Sequence, residues 1–293
     1  MKPSEAPNLQ LRPLQAFDET IGEDSQALGS QLQVLRERLF PPEARKELRS
    51  FSTAETAKLI GVTESYIRNL ATVEEGPVPE KAHNGRRRYT LEQVHALRHH
   101  LTKGKTSYVP WRKDHEHLQV IAVTNFKGGS GKTTTATHLA QYLALRGYRV
   151  LAVDLDPQAS MSALFGYQPE FDVDENQTLY GAIRYDDQRR PLAEIVRKTY
   201  FPGLDLVPGN LELHEFEHDT PRVLADGGHD GDGLFFMRVA SALHSVGDDY
   251  DVVVIDCPPQ LGYLTLSALC AATSVIVTVH PQMLDVASMS QFL

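Results

Sequence analysis

Cysteine is nearly absent from this 293-residue chain, with only Cys257 and Cys270 and no CxxC pair. That scarcity fits a reducing cytoplasm rather than an oxidising compartment. No leader with a basic start, an apolar centre and a small-residue cleavage site opens the chain. Long hydrophobic runs are also lacking. The longest, Ala271 to Val279, is broken by Thr273, Ser274 and Thr278, and it falls well short of the ~20 residues a membrane span needs. A soluble protein with no membrane partner is expected. Net positive charge is missing too, at −9 overall, which read globally argues against binding DNA.

What is present changes that last inference. Apolar residues make up 41% and charged residues 23% of the chain, the proportions of ordinary globular proteins. The length suggests two domains. Between Arg45 and Lys113 fourteen Lys and Arg stand against seven Asp and Glu, so that window carries +7 and the remainder −16. Only the local field matters to a phosphate backbone, so the basic window is a candidate nucleic-acid face. A solvated basic surface is the plainer alternative.

Residues 1–50 hold one helical pattern, Leu28, Leu32, Leu35 and Leu39, stopped by Pro41 and Pro42. Its single apolar stripe must be covered by its own domain or by a second subunit. Residues 51–101 predict three short helices. Ser52 and Glu55 form a capping box ahead of Ala57 and Ile60, Gly61 supplies a turn, and Thr63 caps a helix with Tyr66, Ile67 and Leu70 inward. Helix, glycine turn, helix is the helix-turn-helix plan. Asn84 and Gly85 turn into Arg86, Arg87 and Arg88, and Thr90 with Gln93 caps a third helix carrying Val94, Leu97 and Leu101. The second helix would expose Glu64, Ser65, Arg68 and Asn69. Arg and Asn read base edges, Ser65 or Tyr66 can hold phosphate, and Arg86, Arg87 and Arg88 suit a wing on the DNA backbone. Residues 102–117, polar and basic, read as a linker.

From Leu118 the rhythm becomes strand and helix in alternation, with strands expected at 118–123, 149–154, 204–207, 251–256 and 274–279. Near-continuous apolar strands are buried on both faces, as in a parallel sheet clad in helices. The first strand runs into Lys127-Gly128-Gly129-Ser130-Gly131-Lys132-Thr133-Thr134, which opens a helix ending at Arg146 and Gly147. Glycines let backbone N–H groups curl around phosphate oxygens, the helix start adds its dipole, Lys132 reaches the β- and γ-phosphates, and Thr133 ligates Mg²⁺. The loop is a nucleoside-triphosphate cradle. Asp154 and Asp156 lie at the carboxyl edge of the second strand, where open α/β sheets bind ligands. The 251–256 strand delivers Asp256 to the same edge in the manner of a Walker B aspartate.

The loop departs from the common pattern, with Phe126 where a glycine is usual and Lys127 added. In this it resembles the deviant Walker A of the ParA/MinD family. The resemblance implies ATP and Mg²⁺ as cofactors, and Lys127 crossing a homodimer interface to the partner's phosphates. It implies that Asp156 orients the attacking water, Asp154 supports the metal shell, Thr133 and Asp256 hold the metal, and Cys257-Pro258-Pro259 is a switch. In the related nitrogenase iron protein, cysteines bridge two subunits through an iron–sulfur cluster; here Cys257 and Cys270 are expected to be buried small hydrophobes instead. The N-terminal block resembles the MerR-like winged helix-turn-helix. The pair resembles the larger ParA proteins of low-copy plasmids, especially the RepA group of repABC cassettes. That implies slow, partner-stimulated ATP hydrolysis in DNA segregation, operator binding with autorepression, nonspecific DNA coating by the dimer, and a ParB/RepB-type centromere-binding partner.

The expected fold is thus a parallel-sheet P-loop domain, 118–293, behind a small helical winged domain. Family members run on for roughly another hundred residues as the resemblance implies, so the chain is expected to be C-terminally truncated. Two alternatives stay open: a nucleotide-modulated transcriptional repressor with little catalysis, and a P-loop domain serving a metabolic ligase or cluster carrier.

Overall fold

The computed structural model describes residues 17–39, 46–73, 76–81, 85–102, 106–227, 234–283, 286 and 290. Two compact units divide the chain, Met1–Lys46 and Glu47–Leu293. In the first, helix α1 (Phe17–Leu39) carries the predicted apolar stripe. Leu28 and Leu35 are exposed, while the side chains of Leu32 and Leu39, like Pro41 and Pro42, lie outside the described residues.

The second unit begins with β1 (Phe51–Ser52), α2 (Thr53–Ile60), α3 (Glu64–Leu70), β2 (Glu80–Lys81), β3 (Arg87–Tyr89) and α4 (Leu91–Leu101). Both expected capping boxes form, at Ser52 with Glu55 and at Thr90 with Gln93. Gly61 takes φ +90°, the left-handed conformation glycine adopts without penalty, and turns α2 into α3. Thr63 caps α3 by accepting from the Tyr66 amide. Strand β3 is central in a three-stranded antiparallel sheet, between β1 and β2. Ile67 and Leu70 are buried as predicted, but Tyr66 is 45% exposed, because it stands with Ser65, Arg68 and Asn69 on the outer face of α3. Asn84 lies outside the described residues.

Beyond it run β4 (Gln119–Thr124), α5 (Lys132–Arg146), β5 (Val150–Asp154), α6 (Ser160–Leu164), α7 (Pro169–Asp172), α8 (Leu179–Ile183), α9 (Leu192–Ile195), β6 (Arg197–Lys198), β7 (Leu204–Val207), α10 (His214–Ala225), α11 (Arg238–His244), β8 (Val252–Asp256), α12 (Tyr263–Ala271) and β9 (Ser274–Val277). The sheet order is β6-β7-β5-β8-β4-β9, parallel except for β6 on β7. The five predicted strands are all present. The extra one, β6, is two charged residues on an edge, a place where such residues deter further pairing and where apolar patterning gives no signal.

Ala136, Ala140 and Ala144, four apart on α5, are fully buried. Their small side chains let the helix lie close on the sheet, giving α5 a fixed line from the cradle to Gly147. The face of the sheet that α5 covers shares one apolar cluster with Ile60, Ile67, Val94 and Leu97 of the preceding helices and Tyr89 of β3. The stretch expected as a linker is therefore held down where it is described. Trp111 packs edge-on against His99 and under the Arg149 guanidinium, and Arg112 donates to Glu116, Gly247 and Tyr250 carbonyls. The second sheet face has its own core around Leu151, Val153, Val253, Ile255, Phe216 and Leu264. Cys257 is buried, but Cys270 is exposed, because it falls on the outer side of the last turn of α12, a position helix length alone does not reveal.

Candidate functional site: a phosphate cradle beside two carboxylates

Residues 125–134 leave β4 and enter α5 through two left-handed glycines, Gly129 at φ +74° and Gly131 at φ +85°. A side chain at either would be strained. A Cβ on Gly128, Gly129 or Gly131 would meet nothing within 4 Å, so nothing packs against the loop at these three positions. Lys132 starts α5 and is buried, and its ammonium donates to the Lys127 carbonyl at 3.2 Å. Thr133 is half-buried, and Thr134 and Lys127 are exposed.

The loop has outside supports that spacing did not reveal. Asn125 accepts from the Lys127 amide at 3.0 Å and donates to the Thr278 carbonyl. The Ser130 and Thr278 hydroxyls are 3.0 Å apart, and His280 Nε2 lies 2.8 Å from the Gly129 carbonyl oxygen. Thr278 and His280 follow β9, which parallel pairing sets beside β4.

Asp154 and Asp256 end β5 and β8 in register. Asp154 is fully buried and accepts from the Ser162 amide at 2.8 Å, the Ser162 hydroxyl at 2.7 Å and the Asp156 amide at 3.3 Å. Burial raises its pKa to about 6, against the pull of the Ser162 bonds. Asp154 thus ties the loop after β5 to α6. Gly209 completes the tie: its amide donates to Ser162 Oγ at 3.0 Å, and a Cβ there would crowd the Asp154 and Asp156 backbone oxygens at 3.0 and 3.1 Å. Asp156 is half-buried, and its carboxylate accepts from the Gln158 amide at 2.9 Å. Ala159, at φ +51°, holds the turn in a conformation unfavourable for an L-residue.

Asp256 differs. It is fully buried, yet neither carboxylate oxygen has a hydrogen-bond partner. Burial first, then the charges of Asp154 and Asp156, push its pKa to about 7, while the nearby Thr133 hydroxyl and Lys132 ammonium offset part of that. A buried carboxylate with its oxygens unmet is costly alone and well matched to a hydrated cation. The residues therefore fit Mg²⁺, with Thr133 and Asp256 as the groups that would hold it or its waters.

The described residues of the DNA-reading candidates divide into two groups. Ser65, Tyr66, Arg68, Asn69 and Arg86 are exposed, with Arg68 paired to Glu64 at 2.5 Å. Arg87 turns inward instead, donating to the Arg68 carbonyl at 3.0 Å and the Thr72 hydroxyl at 3.4 Å. It braces the end of α3, because as a residue of the central strand it faces that helix. Arg88 is half-buried on the same strand.

Residues 118–293 match the family model described as an AAA domain. A Rhizobium rhizogenes relative named for replication protein A is 59% identical over 91% of this chain and 67% of its own length. The chain belongs to the ParA-type P-loop ATPases. The chromosome partitioning protein ParA of Myxococcus xanthus is 34% identical over 66% of this chain and 63% of its own length. Among solved structures, a Mycobacterium smegmatis cobyrinic acid a,c-diamide synthase with a bound ATP analogue and magnesium superposes with a TM-score of 0.51 at 34% identity, over 60% of this chain and 65% of that one. The chain thus spans about two thirds of these relatives' lengths. The ATP and Mg²⁺ expected of this ParA-type member are the pair the geometry of residues 127–134 and Asp256 accommodates.

Proposed function

We propose that this protein is a plasmid-partition ATPase that dimerises on ATP and reads operator DNA through residues 51–101. The observation that carries the proposal is the partnerless Asp256 carboxylate buried beside the open Lys127–Thr134 loop. Bound Mg²⁺ would supply charge neutralisation for the β- and γ-phosphates. The chain's own residues do the rest. Backbone N–H groups of 128–134 and the start of α5 bind the phosphates, and Lys132 exchanges the Lys127 carbonyl for a phosphate oxygen. Asp154 fixes the loop that carries Asp156, and Asp156 accepts from and orients the attacking water. Lys127, exposed at the rim, would reach the nucleotide of a partner subunit.

The proposed division of the chain is 1–50 for dimer contact, 51–101 for DNA, 102–117 as connector and 118–293 as ATPase. Capping, the left-handed Gly61 turn and the exposed Ser65, Tyr66, Arg68 and Asn69 support α3 as a recognition helix, with β2 and β3 as the base of a wing. Autorepression, nonspecific DNA coating by the dimer on the nucleoid, and stimulation by a ParB/RepB-type protein complete the proposal. Among the described residues no helix is long and apolar enough to cross a membrane.

Footprinting on operator DNA with and without ATP, with turnover measured on the same sample, tests this. Protection that requires neither ATP nor Asp156 would favour a repressor with little catalysis, a reading that the apolar cluster shared by α3 and α5 makes physically reasonable. Stoichiometric binding of a small acid would favour a metabolic ligase instead.

A further inference from the structure

We infer that His280 is a positioning residue for the nucleotide, aiming the Ser130 amide at the phosphates by gripping the Gly129 carbonyl. The inference rests on residues 127–134 being the phosphate cradle.

The peptide joining Gly129 to Ser130 is trans and planar, so its C=O and N–H point in opposite directions. In a P-loop the N–H groups face the phosphates, and the carbonyls must then face away. His280 Nε2 lies 2.8 Å from the Gly129 oxygen. A carbonyl can only accept, so this nitrogen carries the proton and donates. Holding the oxygen outward holds the Ser130 N–H inward.

The grip matters because Gly129 is the residue most able to let this peptide rotate. It sits at φ +74° with nothing within 4 Å of where a Cβ would be, so its own conformation supplies little restraint. The restraint comes from the segment after β9. Thr278 meets the Ser130 hydroxyl at 3.0 Å, and its carbonyl accepts from Asn125. Its amide bonds the Thr124 carbonyl at 3.3 Å. His280 is anchored through these contacts to the same strand that launches the loop, so the peptide is fixed from both sides. His280 itself is exposed, and removing its ring opens no buried cavity.

The test is the affinity of the full chain for Mg-ATP and Mg-ADP by calorimetry, with melting of the nucleotide-free protein alongside. Replacing His280 by Leu should weaken both nucleotides about five-fold, roughly what one net hydrogen bond is worth. His280→Gln, whose amide nitrogen reaches the same distance, should restore affinity. Wild-type affinity in His280→Leu overturns the inference alone. Failure of His280→Gln to do better than His280→Leu also overturns it, since donation is then not what matters. A wild-type chain that binds neither nucleotide overturns the cradle reading and this inference with it.

Discussion

Asp154 and Asp256 stand side by side at the ends of neighbouring parallel strands, and only Asp154 has its oxygens bonded by the protein. Both are buried, and the Asp154 charge adds to the cost of ionising Asp256. One member of the pair is fastened by Ser162 and the other is not.

That contrast gives a signed pH prediction. Burial raises the folded pKa values to about 6 and about 7 from 3.8, so the folded protein keeps protons that the unfolded chain has released. The contribution of this pair to stability without nucleotide should therefore be fully present below about pH 4, be lost as pH rises to about 7, and level off above. Asp256→Asn should flatten much of that slope and stabilise the nucleotide-free protein at pH 8 by on the order of 2 kcal/mol, while abolishing magnesium-dependent nucleotide binding. Calorimetric scans at pH 5 and pH 8 check the first part, and nucleotide titration with and without magnesium the second.

Lys132 and Lys127 should separate binding from dimerisation. Lys132→Ala removes a buried ammonium at the cradle and should weaken ATP by roughly ten- to a hundred-fold, the range for a charge-assisted hydrogen bond. Lys127→Ala should leave monomer affinity near wild type and reduce ATP-dependent dimers. Light scattering at matched nucleotide saturation tests this; undiminished dimers in Lys127→Ala would remove the bridging role.

Arg98 is the link whose loss should be felt furthest from its position. The residue is 5% exposed, and its guanidinium donates to carbonyls of Leu59 in α2, Tyr108 and Leu145 in α5. Close by, the half-buried His95 meets the Ala144 carbonyl at 2.9 Å. Arg98→Ala leaves three carbonyls short of a donor and should cost about 3–5 kcal/mol, read by urea unfolding. Limited proteolysis should then cut between 102 and 117 before it cuts the sheet. Gly147→Ala should act in the same direction, because its φ is +98° and a Cβ would lie 2.9 Å from Arg98 Cδ.

The arginines near α3 should behave unequally on DNA. Arg68→Ala should cost about 1–3 kcal/mol on operator DNA and little on random sequence if it reads a base. Arg87→Ala should lower the melting temperature of the free protein and weaken both DNAs together, since its bonds are to Arg68 of α3 and to Thr72 just beyond that helix. Electrophoretic mobility shifts on the two DNAs distinguish these patterns, and equal losses for Arg68→Ala would make it a phosphate contact.

Read alone, the amino-acid sequence determined the features that depend on neighbours in the chain. The capping boxes at Ser52 and Thr90, the Gly61 turn, the span of α5 from Lys132 to Gly147, and the glycine loop all follow from contacts a few residues long. Strands β4, β5, β7, β8 and β9 were legible because each is a short, strongly apolar run. Only the tertiary structure decided which partners meet across long separations. Ser162, itself met by Gly209, holds Asp154, Thr278 and His280 hold the loop, Arg98 ties α4 to α5, and Arg87 bonds the Arg68 carbonyl. Those side chains carry no local periodicity, since their neighbours are set by sheet order and helix docking. The reason lies in hydrogen bonding itself, which is directional and indifferent to distance along the chain.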